Sequence, residues 1–379
     1  MSSLAAPTLR LADLRRRFGL WRARFRRPTI TSPTGQLTVG AAPITYVCVV
    51  SPLFDQTVPT ANSLLRVGLC HGFEQIGVPY VILGTHELAD RLPDLPNPIC
   101  SLHNTDYLYL DRTNRAALGR TRHFVSLDYW FKDDVTIFQR EGLDYQSYGE
   151  QTHRALLQSG PAFTYTISPA ASFGYYERWT TLGLRLESLP LACDPVIYHP
   201  NTPDYPQFAD VKMAFVGGYW PYKAIQFDRY LRPYEEELTI FGRERWPYAG
   251  YGGPLPQAQE PALYRQARLS PTINEPHCER MNLDLNERVF KVLGSGGCSI
   301  TDAIPGYREW FSPDELPVPD SLAEYQEMVQ ALLTDRALNQ RYRERGYQAI
   351  IERHTYAQRA QRVLQWLNLS LDSPYAQKA

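Results

Sequence analysis

The stretch "NERVFKVLGSGGCSITD", residues 286–302, decides the architecture. It reads as a short amphipathic helix, a glycine cluster and a few β-prone residues ending in an acid. A helix that stops at glycines and feeds a strand belongs to an α/β layer. One residue is out of keeping with the rest: Lys291, a cation in the middle of the helix.

Working outward, the same alternation continues on both sides. Upstream, "VKMAFVGG" (211–218) is a strand and a glycine turn, and "KAIQFDRYLRPYEE" (223–236) is a helix interrupted at Pro233. "ELTIFG" (237–242) is a strand, "EPALYRQA" (260–267) a short helix and "RLSPTIN" (268–274) a strand. Downstream, three segments within residues 322–371 read as helices. "NTPDYPQFAD" (201–210), with two prolines and little apolar content, is the expected interdomain linker.

Before that linker lies a second α/β unit. "ITYVCVVSP" (44–52) is a charge-free buried strand, residues 60–77 a helix stopped by Gly77, and "VPYVILG" (78–84) the next strand. This β-α-β run implies a parallel sheet. "RHFVSLDYWF" (122–131) and "AFTYTISPA" (162–170) read as further strands and residues 172–184 as a helix, after which residues 185–200 carry the chain out of the layer. The 379 residues therefore divide into an arm and linker (1–43), a first domain (44–200) and a second domain (210–379). Two such sheets face a cleft, and ligands of open parallel sheets bind at the strands' carboxyl ends.

Charge is balanced, with 39 Lys plus Arg against 40 Asp plus Glu, so nucleic acid is not an expected partner. The exception is residues 9–28, with eight arginines and one acid. There Leu11, Leu14, Phe18, Trp21 and Phe25 recur at helical spacing. The face they form suits an anionic membrane surface, through residues 11–27, or docking on the protein's own body. The expected localisation is cytoplasmic, with peripheral membrane contact through this arm. The six cysteines show no C-x-x-C pair, so neither zinc nor a disulfide framework is suggested. His277, Glu275 and Glu279 lack metal-site spacing, and no metal is expected.

Two places offer anion-binding chemistry. In "FVGGYWPYK" (215–223), Gly217 and Gly218 let the backbone approach a phosphate, the following helix offers free N–H groups, and Lys223 adds a positive charge. The plain alternative is a tight turn. In residues 274–290, Asp284 or Asn286 would cap the following helix, whose positive end faces the cleft. His71 and Asp128 are the first-domain candidates for a general base.

Five segments, residues 215–231, 238–246, 253–274, 285–302 and 352–367, resemble in order the group 1-like glycosyltransferases of the spore-protein branch. The likeness spans residues 177–367, while the first half shares little beyond "FVSLDYWF" (124–131) and the β-α-β rhythm. The resemblance implies the GT-B fold: two Rossmann-like domains around a nucleotide-sugar, with C-terminal helices. It implies transfer of a sugar from a nucleoside diphosphate donor to a hydroxyl acceptor, with no cofactor beyond that donor substrate. Gly217 and Gly218 would lie against the diphosphate, Lys223 would neutralise it, and the helix from Asn286 would face it. Arg288 and Phe290 match the family's R-x-F. The family places next a glutamate that takes the ribose hydroxyls, five residues before a glycine; here Lys291 stands there and Gly296 is that glycine. A literal E-x7-E, Glu279 to Glu287, is one helical turn out of register. Lys291 therefore has two readings: a structural i,i+4 ion pair with Glu287, or contact with a phosphate or altered donor. The alternative to a transferase is a degenerate GT-B scaffold or binding module.

Overall fold

A computed structural model describes residues 38–39, 42–52, 54, 61–127, 156–181, 183–276, 278 and 285–369. The basic arm (9–28), Asp128, His277, Glu279 and Asp284 fall outside these residues.

The first domain is one six-stranded sheet. Its strands are β1 (Thr45–Val50), β2 (Tyr80–Gly84), β3 (Pro98–His103), β4 (Arg122–Leu127), β5 (Phe163–Thr166) and β6 (Leu186–Ser188). They are ordered β2-β1-β3-β4-β5-β6 and all are parallel. Side chains alternate along β1: Tyr46 and Cys48 enter one core, Val47 and Val49 the other. Burial on both faces explains why "TYVCVV" has no polar alternation. Helix α1 (Ala61–Gln75) crosses from β1 to β2, and Gly77, at φ 81°, ends the turn after it.

Three features differ from the sequence expectation. β3 is central, yet it opens on Pro98 after a proline-rich turn, which hides it. Residues 186–188, read as leaving the layer, instead extend the sheet edge as β6 by pairing with β5. In the stretch read as one helix, a 3-10 turn (Ala170–Tyr176) precedes only one α-turn (Glu177–Thr180). The buried aromatics Tyr176 and Trp179, packed under the sheet, explain its apolar periodicity.

The second domain holds β7 (Met213–Val216), β8 (Leu238–Phe241), β9 (Ser270–Thr272) and β10 (Ser299–Thr301). β7 pairs with β8, and β9 with β10, all in parallel. A parallel bridge from Met213 to Leu269 and the Ala214 N–H bond to the Leu269 carbonyl (2.9 Å) join the two pairs as β8-β7-β9-β10. Helices α2 (Ala224–Tyr230), α3 (Glu260–Gln266), α4 (Glu287–Gly294), α5 (Leu322–Thr334), α6 (Arg336–Arg353) and α7 (Tyr356–Trp366) complete it. Pro233 follows the end of α2 inside a 3-10 turn, consistent with its missing donor.

The chain then returns to the first domain. Cys193 N–H bonds to the His354 carbonyl (2.8 Å) and Tyr356 N–H to the Cys193 carbonyl (3.0 Å). α7 lies along α1, where a Cβ at Gly68 would fall 2.2 Å from the Tyr356 ring and one at Gly72 2.3 Å from the Tyr356 carbonyl. One core cluster consequently runs through both domains, from Tyr46 and Phe73 to Phe290 and Leu364. Residues 201–210 are not a free tether: Tyr205 exchanges two hydrogen bonds with Gln266 (2.8 and 3.1 Å), and Phe208 is buried.

Candidate functional site

In an open parallel sheet a crevice forms where the strand order reverses. In the second domain that point lies between the carboxyl ends of β7 and β9, and most of the expected residues gather there.

Gly217 follows β7 directly. The space where its Cβ would stand is taken by Arg288: an added Cβ would lie 2.7 Å from Nη2. Arg288 reaches over from the first turn of α4 and donates to the Val216 carbonyl from Nε (3.0 Å) and Nη2 (2.8 Å). Its guanidinium stacks on the Phe215 ring at 4.0 Å. The remaining nitrogen, Nη1, is buried without a hydrogen-bond partner. A Cβ on Gly218 would meet Glu244 Oε2 at 2.8 Å, so a carboxylate flanks this side of the turn.

Lys223, at the end of a 3-10 turn before α2, is 4% exposed, with Nζ 3.6 Å from Glu275 Oε1 and 5.4 Å from the Phe227 ring centroid. Burial pulls its ammonium below the ordinary lysine value, against the attraction of Glu275, and the charge of Arg288 adds to the lowering. Glu275 Oε2 is a second buried atom without a partner. Asp302, the acid that closes the opening stretch, accepts from Asn274 N (2.9 Å) and Asn274 Nδ2 (2.5 Å). Burial raises it to about 6 despite those bonds. Two buried cations thus share one crevice with Glu275 and with Asp302, whose charged form burial disfavours.

Asn286 caps α4, its side chain accepting from Arg288 N at 3.0 Å. Tyr307 fixes the cap, accepting from Asn286 N (2.8 Å) and donating to Asn274 Oδ1 (2.9 Å). Gly296 takes φ 75° in the turn from α4 to β10, a conformation that favours glycine.

Lys291 is buried on α4. Its Nζ lies 3.3 Å from Glu287 Oε1 and 3.4 Å from Glu260 Oε1, and 5.4 Å from the Tyr198 ring centroid. Glu260 also accepts from Tyr198 (2.9 Å) and Tyr264 (2.7 Å). Burial alone would lower the Lys291 pKa, but Glu260 and then Glu287 outweigh it and hold the ammonium above its ordinary value. Glu260, from α3, was invisible to spacing because it lies 31 residues away.

In the first domain His71 lies on α1 beside Tyr80, the first residue of β2, hence toward the strands' amino ends. Its Nδ1 is 2.6 Å from Asp194 Oδ2. Asp128 directly follows Leu127, the last residue of β4, and lies outside the described residues. The carboxyl ends of β1 and β3 instead gather Ser51, His103 and Asp106. Asp106 accepts from His103 N (2.8 Å) and Ser51 N (3.2 Å) and pairs with Arg66 at 2.7 Å. His103 Nδ1 meets Thr105 Oγ1 at 2.8 Å. Burial drives its pKa to about 3, so the ring is neutral. The signal for His103 was a strand followed by the polar run "HNTD", the same pattern that flagged residues 274–290.

These features define a GT-B architecture, and comparison with known proteins agrees. Residues 223–365 match the model of a family described as glycosyl transferase-like. No curated protein matches the chain in sequence. The chain superposes on an α,α-trehalose-phosphate synthase (UDP-forming) from Burkholderia xenovorans with a TM-score of 0.55 at 10% identity, covering 86% of this chain and 99% of that one. Sucrose-phosphate synthase from Thermosynechococcus elongatus gives 0.55 at 12% identity, with 86% and 98% covered. The T4 phage β-glucosyltransferase, solved with its UDP-glucose substrate, gives 0.53 at 11% identity, with 87% and 100% covered. Among the described residues no helix is long and apolar enough to cross a membrane, and no cluster of side chains suits a metal ion.

Proposed function

We propose that the protein is a glycosyltransferase that moves a sugar from a nucleoside diphosphate sugar to a hydroxyl acceptor. The observation that carries this is the pair of buried cations, Lys223 and Arg288, near enough to feel each other's charge, with Arg288 against Gly217 and its Nη1 left unused. Buried charge is tolerated when it is paired, and a diphosphate supplies the missing oxygen acceptors. The bond from the sugar's anomeric carbon to the diphosphate breaks as the bond to the acceptor oxygen forms. The nucleoside diphosphate then leaves with the electron pair. Fixed positive donors at the departing oxygens stabilise that charge without reorganising. The acceptor's proton passes to a group at the first domain's carboxyl edge. There Asp128 follows β4, while neutral His103, its Nδ1 already accepting from Thr105 N, is left with an Nε2–H donor.

Lys291 supports a second reading. Sealed between Glu260 and Glu287, it leaves no carboxylate at the position where the resemblance expects the ribose contact. This favours a scaffold that has lost its donor. Thermal-shift titration with UDP, GDP and their sugars separates the two. A stabilisation that Lys223→Ala abolishes supports transfer, and no response across the panel supports the scaffold. Slow donor hydrolysis without acceptor would identify the sugar.

A further inference from the structure

The segment "HTYAQR" (354–359) opens α7. A cavity of ≈ 450 Å³ lies between α7, the end of α6 and the turn at Trp310. Its lining is rich in donors and holds one carboxylate, Glu309, against three arginines.

The three arginines differ in how their charge is met. Arg353 is neutralised by Glu315, whose two carboxylate oxygens accept from its Nη2 (2.8 and 2.7 Å), and by Glu352 at 3.6 Å. Arg359 is 7% exposed and has no carboxylate within ion-pair distance among the described residues. Its guanidinium donates to the backbone carbonyls of Pro190 (2.8 Å), Leu191 (3.1 Å) and Arg353 (3.2 Å). Those carbonyls fix its geometry and leave its charge uncompensated. Burial accordingly lowers its pKa to about 10. Arg362, one turn further along the same helix face, is exposed and makes no ion pair among the described residues. On the facing wall, Trp310 Nε1 is buried without an acceptor, and the Arg359 guanidinium lies 5.7 Å from the Trp310 ring centroid.

A buried guanidinium held by carbonyls and, at 3.5 Å, by neutral His354 Nδ1 is costly unless an anion completes it. We propose that this cavity binds a small phosphate-bearing anion, with Arg359 as the fixed cation and Arg362 as the mobile one. Guanidinium matches phosphate geometry better than any other side chain. The site is separate from the Lys223–Arg288 crevice and does not depend on the transferase reading. It is nevertheless linked to it. Trp310 N–H bonds to the Tyr307 carbonyl (3.0 Å), and the Tyr307 hydroxyl holds the cap of α4.

The test is calorimetric titration of the full chain with inorganic phosphate. Lys223→Ala removes the main cation of the crevice, and the site predicts one saturable phosphate site surviving in that variant. Adding Arg362→Ala should weaken that site at least tenfold. Gln365→Glu, an exposed change on the same wall, should do the same by placing a carboxylate beside Arg362. The proposal is overturned if Lys223→Ala leaves no saturable phosphate binding. It is equally overturned if neither Arg362→Ala nor Gln365→Glu alters the affinity that remains.

Discussion

Lys291 donates to Glu260 at 3.4 Å across 31 residues, tying helix α4 to α3 through a buried ion pair. Glu287 joins from the same helix at 3.3 Å, so one ammonium offsets two carboxylates. The unexpected cation is therefore an internal counterion in this structure.

Lys291→Met should destabilise the fold by about 3 kcal/mol, because it strands buried Glu260 and half-buried Glu287. Lys291→Met with Glu260→Gln should recover part of that loss. Urea unfolding of the two singles and the double gives the coupling. Additive losses would show that the pair contributes nothing to folding.

Gly217→Ala should disconnect Arg288 from Val216, since the new methyl would overlap Nη2. The fold should persist, with overpacking costing about 1–3 kcal/mol. Stabilisation by UDP should fall more than tenfold. UDP affinity equal to the wild type would show that Arg288 is not a donor contact.

Asp302 carries a testable pH dependence. Its folded pKa of about 6 exceeds the unfolded carboxylate value, about 3.9. Its contribution is thus fully present below the unfolded value and is lost as pH rises through about 6, reaching about 3 kcal/mol at most. Relative to the wild type, Asp302→Asn should gain stability as pH rises from 4 to 7. Parallel stability–pH curves would contradict the buried, protonatable state.

His71 should behave in the same direction for a different reason. Burial lowers its pKa, but the bond to Asp194 outweighs this and raises it. The stabilisation is present below the unfolded value, about 6.5, and lost as pH rises through the folded one. His71→Phe should cost more at pH 5.5 than at pH 8.5, measured by Tm. NMR titration of the ring that gave a lowered pKa would refute it.

Elements whose own residues specify them were legible in the sequence. "TYVCVV" could only be a strand buried on both faces, and the glycines after α4 fixed its end, while its cap, left between Asp284 and Asn286, is Asn286. β3 escaped because Pro98 and the turn before it mask five buried positions. The site was legible as chemistry but not as contact. Gly217, Lys223 and Arg288 were expected at one anion site, while the passage of Arg288 over Gly217 joins residues 71 positions apart, beyond the reach of any local pattern. Glu260 at Lys291 escaped for the same reason, and His71 was chosen for its residue type although the direction of α1 carries it away from the strands' carboxyl ends.

The contact of α7 with Gly68 and Gly72 bears on how such proteins can be recombined. Grafting the second domain of this chain onto a foreign first domain would carry along a terminal segment shaped for one particular landing groove. A successful chimera must transplant that groove with it, so the modular unit here is not what a cut at the chain's midpoint would produce.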